Sequence, residues 1–241
     1  MKKIGLLGFG ILFSLLLSAQ KQVNDPLAQV RQVSGFHAIK VSTGIKVYLS
    51  QGPEAVAVSA TKAEYRDKIV TKVEGGVLKI YYEQETLKFW KNGGGTKGKN
   101  PVAYVSIDKI DGIDLASGSS IAVEGDLKGD KLVMDVSSGA VFKGAIAFNG
   151  VDIDLSSGSV VNISGTSNTL NVDASSGSIF HGYELAVNNC DVDVSSGAGA
   201  QITINKEMSA EASSGGYVSY KGNGVIRNVK TSSGGSVSKK G

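Results

Sequence analysis

The sequence predicts an all-β chain built as a parallel β-solenoid with coils of about 19–20 residues, behind an irregular N-terminal β cap region. Three observations support the solenoid. A triplet recurs as Ala116-Ser117-Gly118, Ser137-Ser138-Gly139, Ser156-Ser157-Gly158, Ser175-Ser176-Gly177, Ser195-Ser196-Gly197, Ser213-Ser214-Gly215 and Ser232-Ser233-Gly234. Its glycines stand 21, 19, 19, 20, 18 and 19 residues apart, a period at which each repeat is one coil stacked on the next. Runs such as Val151-Asp152-Ile153-Asp154-Leu155 alternate apolar and polar residues, the period of a strand. The 32 glycines against 3 prolines supply tight turns between short strands.

Residues 1–19 read as a secretory signal peptide: Met1-Lys2-Lys3, an apolar run Ile4–Leu17, then Ser18-Ala19. The run is short for a membrane anchor, no cysteine stands near the cleavage zone and no second apolar span follows. The mature chain is therefore expected not to span a membrane, and to reside in the periplasm, at the outer surface or outside the cell. A polar leader occupies 20–31.

Residues 32–110 form the irregular β region. Phe36 to Leu49, Ala55-Val56-Ala57-Val58 and Val77-Leu78-Lys79-Ile80 alternate and are bounded by turn residues. Ser42-Thr43-Gly44 is a degenerate triplet, so coils can begin here. No amphipathic helix is expected outside Ala63–Lys68, the one stretch that admits a short one. The pattern lapses in a glycine-rich basic loop at 84–101, where Phe89 and Trp90 either contact a ligand, as aromatic rings stack on sugars, or pin the loop root to the body.

The regular Ser-Ser-Gly solenoid occupies 111–241. Positions five and three before each glycine hold Ile113/Leu115, Met134/Val136, Ile153/Leu155, Val172/Ala174, Val192/Val194, Ala210/Ala212 and Val229/Thr231. Leu132, Val151, Leu170, Cys190 and Met208 stand seven before. All share one parity and so one strand face, which is the expected core. Ile121, Val141, Val160, Ile179, Val218 and Val237 are expected on a second inward face, with the second serine of each triplet turned inward at the corner. Cys190 is the only cysteine, so no internal disulfide exists; it reads as a small buried hydrophobe rather than a nucleophile. The terminal Lys239 and Lys240 suit a charged, blunted edge.

The order of parts, Phe36 to Ile80 followed by Asp-x-Ser-Ser-Gly-Ser coils, resembles the bacterial head-GIN-domain family of putative auto-transporter adhesins over roughly residues 32–237. The resemblance implies a right-handed parallel β-helix and an extracytoplasmic adhesion role. It brings no catalytic residues and no ligand.

The outward position four before each glycine reads Asp114, Asp135, Asp154, Asp173, Asp193, Glu211 and Lys230, with Asp152 and Asp191 beside it. Carboxylates in a row are calcium ligands or, in pairs, hydrolytic groups; they are also what a strand approaching a turn exposes to solvent. The calcium-loop signature is missing. The only histidines are His37 and His181, and Lys128, Lys131 and Lys143 are the only bases in 111–197. No nucleophile-elbow or zinc spacing occurs. No catalytic residue, metal site or cofactor is expected.

Without Lys2 and Lys3 the net charge of +3 becomes +1, which gives no footprint for nucleic acid. Residues 20–110 carry 14 basic and 8 acidic side chains, and residues 111–241 carry 9 and 14. The sequence thus leads to a secreted or cell-surface, non-catalytic binding solenoid whose partner is a cell-surface or matrix glycan or protein. Alternatives are a self-associating envelope protein, such as a homotrimer joined through one solenoid face, and a polysaccharide-degrading enzyme of pectin-lyase type.

Overall fold

The computed structural model describes residues 25–83, 96 and 98–240. Residues 1–19, where a signal peptide is expected, residues 20–24 of the leader and the Phe89–Trp90 pair lie outside the described residues.

In chain order the elements are β1 (Gln29–Arg31), β2 (Ala38–Val41), β3 (Lys46–Gln51), β4 (Ala55–Ser59), α1 (Ala63–Arg66), β5 (Ile69–Glu74), β6 (Val77–Tyr82), β7 (Val102–Ile107) and β8 (Gly112–Leu115). There follow β9 (Ser120–Val136), β10 (Val141–Leu155), β11 (Val160–Ala174), β12 (Ile179–Val194), β13 (Gly199–Ala212), β14 (Tyr217–Lys221), β15 (Val225–Thr231) and β16 (Ser236–Lys239). Among the described residues strand accounts for 66% and helix for 2%, in a β-solenoid of about 7 turns. The helix is one four-residue turn, shorter than the sequence pattern suggests.

Each triplet builds a tight corner. The second serine and the glycine both have positive φ, as at Ser138 (52°) and Gly139 (70°). The N–H of Ala140 donates to the carbonyl of Ser137 at 3.0 Å. Two successive positive-φ residues inside such a bond define a type I′ turn, and glycine meets this demand without steric cost. Adjacent corners are stitched together, since Gly139 N–H donates to Ser157 O and Gly158 N–H to Ser176 O, at 3.0 and 3.1 Å.

The corner also corrects the expected orientation of its residues. The second serines are exposed, and the residue after the glycine is the one that turns inward: Ser119, Ala140, Ser159, Ser178 and Ala198 are fully buried. Counting on, the residue three after the glycine is inward too, namely Ile121, Phe142, Val161, Phe180, Ala200 and Val218. Val141, Val160 and Ile179, expected inside, face outward. Each is followed by a second apolar residue, so alternation alone leaves the parity of the pair open. The seven-, five- and three-before columns are buried as expected through Ala212. Burial of a side chain the size of Phe142 or Leu132 stabilises by about 1.5–3 kcal/mol, and the columns run unbroken from coil to coil.

Strands β9 to β13 pair in parallel, with Asp154 opposite Asp135 and Asp173. The N-terminal block departs from chain order. Strands β2 and β3 pair with β8 and β9 on one side and with β6 and β7 on the other. Strands β6 and β7 therefore stack outside residues 38–51, although they come later in the sequence. Antiparallel strands then cover that end, with β5 on β6, β4 on β7 and β1 on β4. Thr43 and Gly44 have positive φ, so the degenerate triplet makes the same corner as the regular ones.

Candidate functional site

The in-register stacking turns one outward position into a ladder. Its rungs are Lys79, Lys40, Asp114, Asp135, Asp154, Asp173, Asp193, Glu211 and Lys230. Each acidic rung lies between two inward residues, as Asp154 lies between Ile153 and Leu155, so period-two alternation holds it on the outer face. Neighbouring rungs are about 4.8 Å apart. Six acids in succession are closed at both ends by a base: Lys40 Nζ meets Asp114 Oδ2 at 2.5 Å, and Lys230 pairs with Glu211. The closing lysine at the start is found by aligning Gly44 with the other triplet glycines, because Lys40 lies four residues before it.

A second column runs beside the ladder through Val133, Asp152, Asn171, Asp191 and Ser209. Asn171 Nδ2 donates to Asp152 Oδ1 at 2.6 Å, and Lys131 Nζ lies 2.8 Å from Asp152 Oδ2. Between the columns lies a shallow concavity of about 330 Å³, lined by Asp152, Asp154, Asn171, Asp173, Asp191 and Asp193.

The electrostatics differ along the ladder. Partial burial, then the charges of Asp173, Asp135 and Asp152, raise the Asp154 carboxyl above the ordinary aspartate range. Burial, then Asp173 and Glu211, raise Asp193 against the pull of Lys230. The hydrogen bond from Lys131 is the main cause that lowers Asp152. A like charge above and below disfavours ionisation, and a cation at hydrogen-bond distance favours it.

The other candidates are placed elsewhere. His181 lies on another stretch of the coil, with Nδ1 3.1 Å from Gln201 Oε1. His37 Nδ1 is 2.7 Å from Asp111 Oδ1. Lys131 is the one base of its stretch drawn to the acids, where it neutralises Asp152. Cys190 is buried between Leu170 and Met208, and burial pushes its thiol far up. Among the described residues no group of three or more His, Cys, Asp or Glu side chains is arranged to hold a metal ion. Also among the described residues, no helix is long and apolar enough to cross a membrane.

Sequence reasoning missed an outer stripe. Val141 and Tyr217 are 37% and 38% exposed, and Val160 and Ile179 carry the same column between them. Gly199 sits next, and the Tyr217 ring lies across it where a Cβ would stand. Keeping one offset from every triplet glycine would have revealed this column.

Residues 35–224 match the family described as putative auto-transporter adhesin, head GIN domain. The chain belongs to this family. Among solved structures it is similar to a putative adhesin from Bacteroides fragilis, with a TM-score of 0.79 and 13% identity over 88% of this chain and 96% of that one. A putative adhesin from Parabacteroides merdae gives 0.68 and 13% over 89% and 95%. A putative lipid binding protein from Parabacteroides distasonis gives 0.66 and 16% over 89% and 96%. At these identities the likeness establishes the solenoid fold and nothing about a ligand. No functionally curated protein matches the chain.

Proposed function

We infer that this head-GIN-domain protein is a non-catalytic adhesin, exported through its N-terminal signal segment and acting at or beyond the cell surface. Its carboxylate-lined sheet face would bind a repetitive cell-surface or matrix glycan. The observation that carries this reading is the in-register ladder from Asp114 to Glu211, closed by Lys40 and Lys230. It offers acceptors at one fixed spacing on a rigid sheet. Hydroxyl donors repeated along a polymer can engage several rungs at once, and such contacts multiply without any one being strong. The family and the structural neighbours, adhesins by description, support the non-enzymatic side of the reading. His181 contacts Gln201 and His37 contacts Asp111, and neither touches a rung of the ladder, which argues the same way.

The test is incubation of the mature protein with acidic and neutral polysaccharides, with and without calcium, assaying retained protein and released oligosaccharide together. Saturable retention without release, weakened in Asp154→Asn/Asp173→Asn, is expected. Oligosaccharide release lost in the same variant would replace adhesion by catalysis.

The stripe of Val141, Val160, Ile179 and Tyr217 favours a second reading, a self-associating envelope protein joined through that face. It predicts a defined oligomer in light scattering that Val160→Lys converts to monomer.

A further inference from the structure

The two ends of the solenoid are treated differently. At the N-terminal end, antiparallel β1, β4 and β5 cover the outer coil. At the other end, among the described residues, β15 pairs only with β13 and β16 only with β14. No described strand pairs with their far edges, whose backbone donors and acceptors are a template for one more strand. Among the described residues the apolar column ends there in the open. Val229 continues Val172, Val192 and Ala210, which are at most 4% exposed, yet is itself 46% exposed.

The charge of this end has one sign. Residues 212–241 hold Lys221, Arg227, Lys230, Lys239 and Lys240 and no acidic residue. Arg227 and Lys230 lean back on Glu207 and Glu211, but both side chains remain 65% exposed. A guanidinium has five N–H donors and an ammonium three, so each can hold a second carboxylate. A second copy of this end would bring like charges together, which disfavours self-stacking.

We propose that the β15 edge is a docking site for an extended acidic polypeptide that adds to the solenoid as one further parallel strand. Main-chain hydrogen bonds along the edge supply strand recognition. Side-chain chemistry sets the sequence: an apolar residue covers Val229, and the next residue, acidic, lies opposite Lys230. The chain's own coils show this pairing is compatible with the stack, since Ile153 and Asp154 occupy the same two columns. This site lies at the end of the rod and is independent of the glycan reading of the ladder.

The probe is the labelled peptide acetyl-Gly-Val-Asp-Ile-Asp-Leu-Ser-amide, titrated into the mature protein and followed by fluorescence anisotropy and amide hydrogen exchange. Saturable binding is expected, with slowed exchange in residues 225–231. Arg227→Glu/Lys230→Glu weakens it about tenfold or more, and the same double variant gains affinity for a peptide carrying Lys in place of both Asp. A peptide with Pro in place of Ile, which cannot keep the strand paired, does not bind. Absence of saturable binding up to about 1 mM peptide overturns the proposal. Equal binding of the proline peptide overturns it too, because attraction would then be charge alone. A dimer of the free protein that Val229→Lys dissociates would assign the end to a second copy and also overturn it.

Discussion

The hydroxyl of Ser159 donates to the carbonyl oxygen of Val136 in the preceding coil at 2.6 Å, inside the core. Ser178 and Ser119 repeat the bond to Leu155 and Val41 at 3.2 and 3.0 Å. The buried serine is thus a staple between coils rather than a stray polar group. The Val136 carbonyl also accepts from Ser156 N–H, and Ala140 and Ala198 fill the same position in other coils. Ser159→Ala should therefore fold and lose about 1 kcal/mol, read as a fall in Tm of about 2–4 °C. An unchanged Tm would mean the hydroxyl bond contributes nothing net.

Two glycines separate backbone strain from collision. At Gly158, φ is +70° and nothing lies within 4 Å of an added Cβ, so Gly158→Ala should cost only the left-handed penalty, about 1–2 kcal/mol. At Gly165, φ is +109° and the Cβ would stand 1.9 Å from the Ile146 carbonyl oxygen. Gly165→Ala should lose about 4 kcal/mol or more. Urea unfolding of both variants checks the ranking.

Asp154 titrates above its ordinary value of 3.8 because of burial and its acidic neighbours. The folded chain then holds that proton more tightly than the unfolded chain, so the group favours folding below pH 3.8 and this contribution is lost as pH rises through the raised folded value. Asp193 has the same sign. Asp152, lowered by Lys131, has the opposite one: its contribution is present above 3.8 and lost as pH falls through the lowered value. Asp154→Asn should raise Tm at pH 7, with the gain vanishing in acid, while Asp152→Asn should lower it. A lower Tm for Asp154→Asn at pH 7 would show that the ionised rung is stabilised by something beyond its neighbours.

Cys190 is 4% exposed and its thiol is pushed far up by burial. The thiolate is the reactive form, so alkylation of the native protein at pH 8 should proceed only at the rate of unfolding. Fast labelling without denaturant would place Cys190 in a mobile coil.

Much of this architecture is written locally. The triplets specify their corners, since Ser138 and Gly139 take the two positive-φ positions of a tight turn. Alternation before each glycine specifies which residues are inward, and hence that Asp135, Asp154, Asp173 and Asp193 share an outer column. Alternation carries no parity through the corner itself. Whether Val141 or Phe142 enters the core depended on how the turn delivers the chain to the next strand and on where a large ring can be enclosed.

Two further matters were decided only by the assembled fold. One is coil order: β6 and β8 both come after β2 in the chain, yet β2 lies between them in space. A parallel strand edge accepts any compatible neighbour, so distant pairing and the covering antiparallel strands settled the order. The other is the electrostatic character of the ladder. The sequence by itself determined that carboxylates would line one face; only the stacking set Lys40 against Asp114 and Lys131 against Asp152 while leaving Asp154 between two acids, because charges interact across coils and not along the chain.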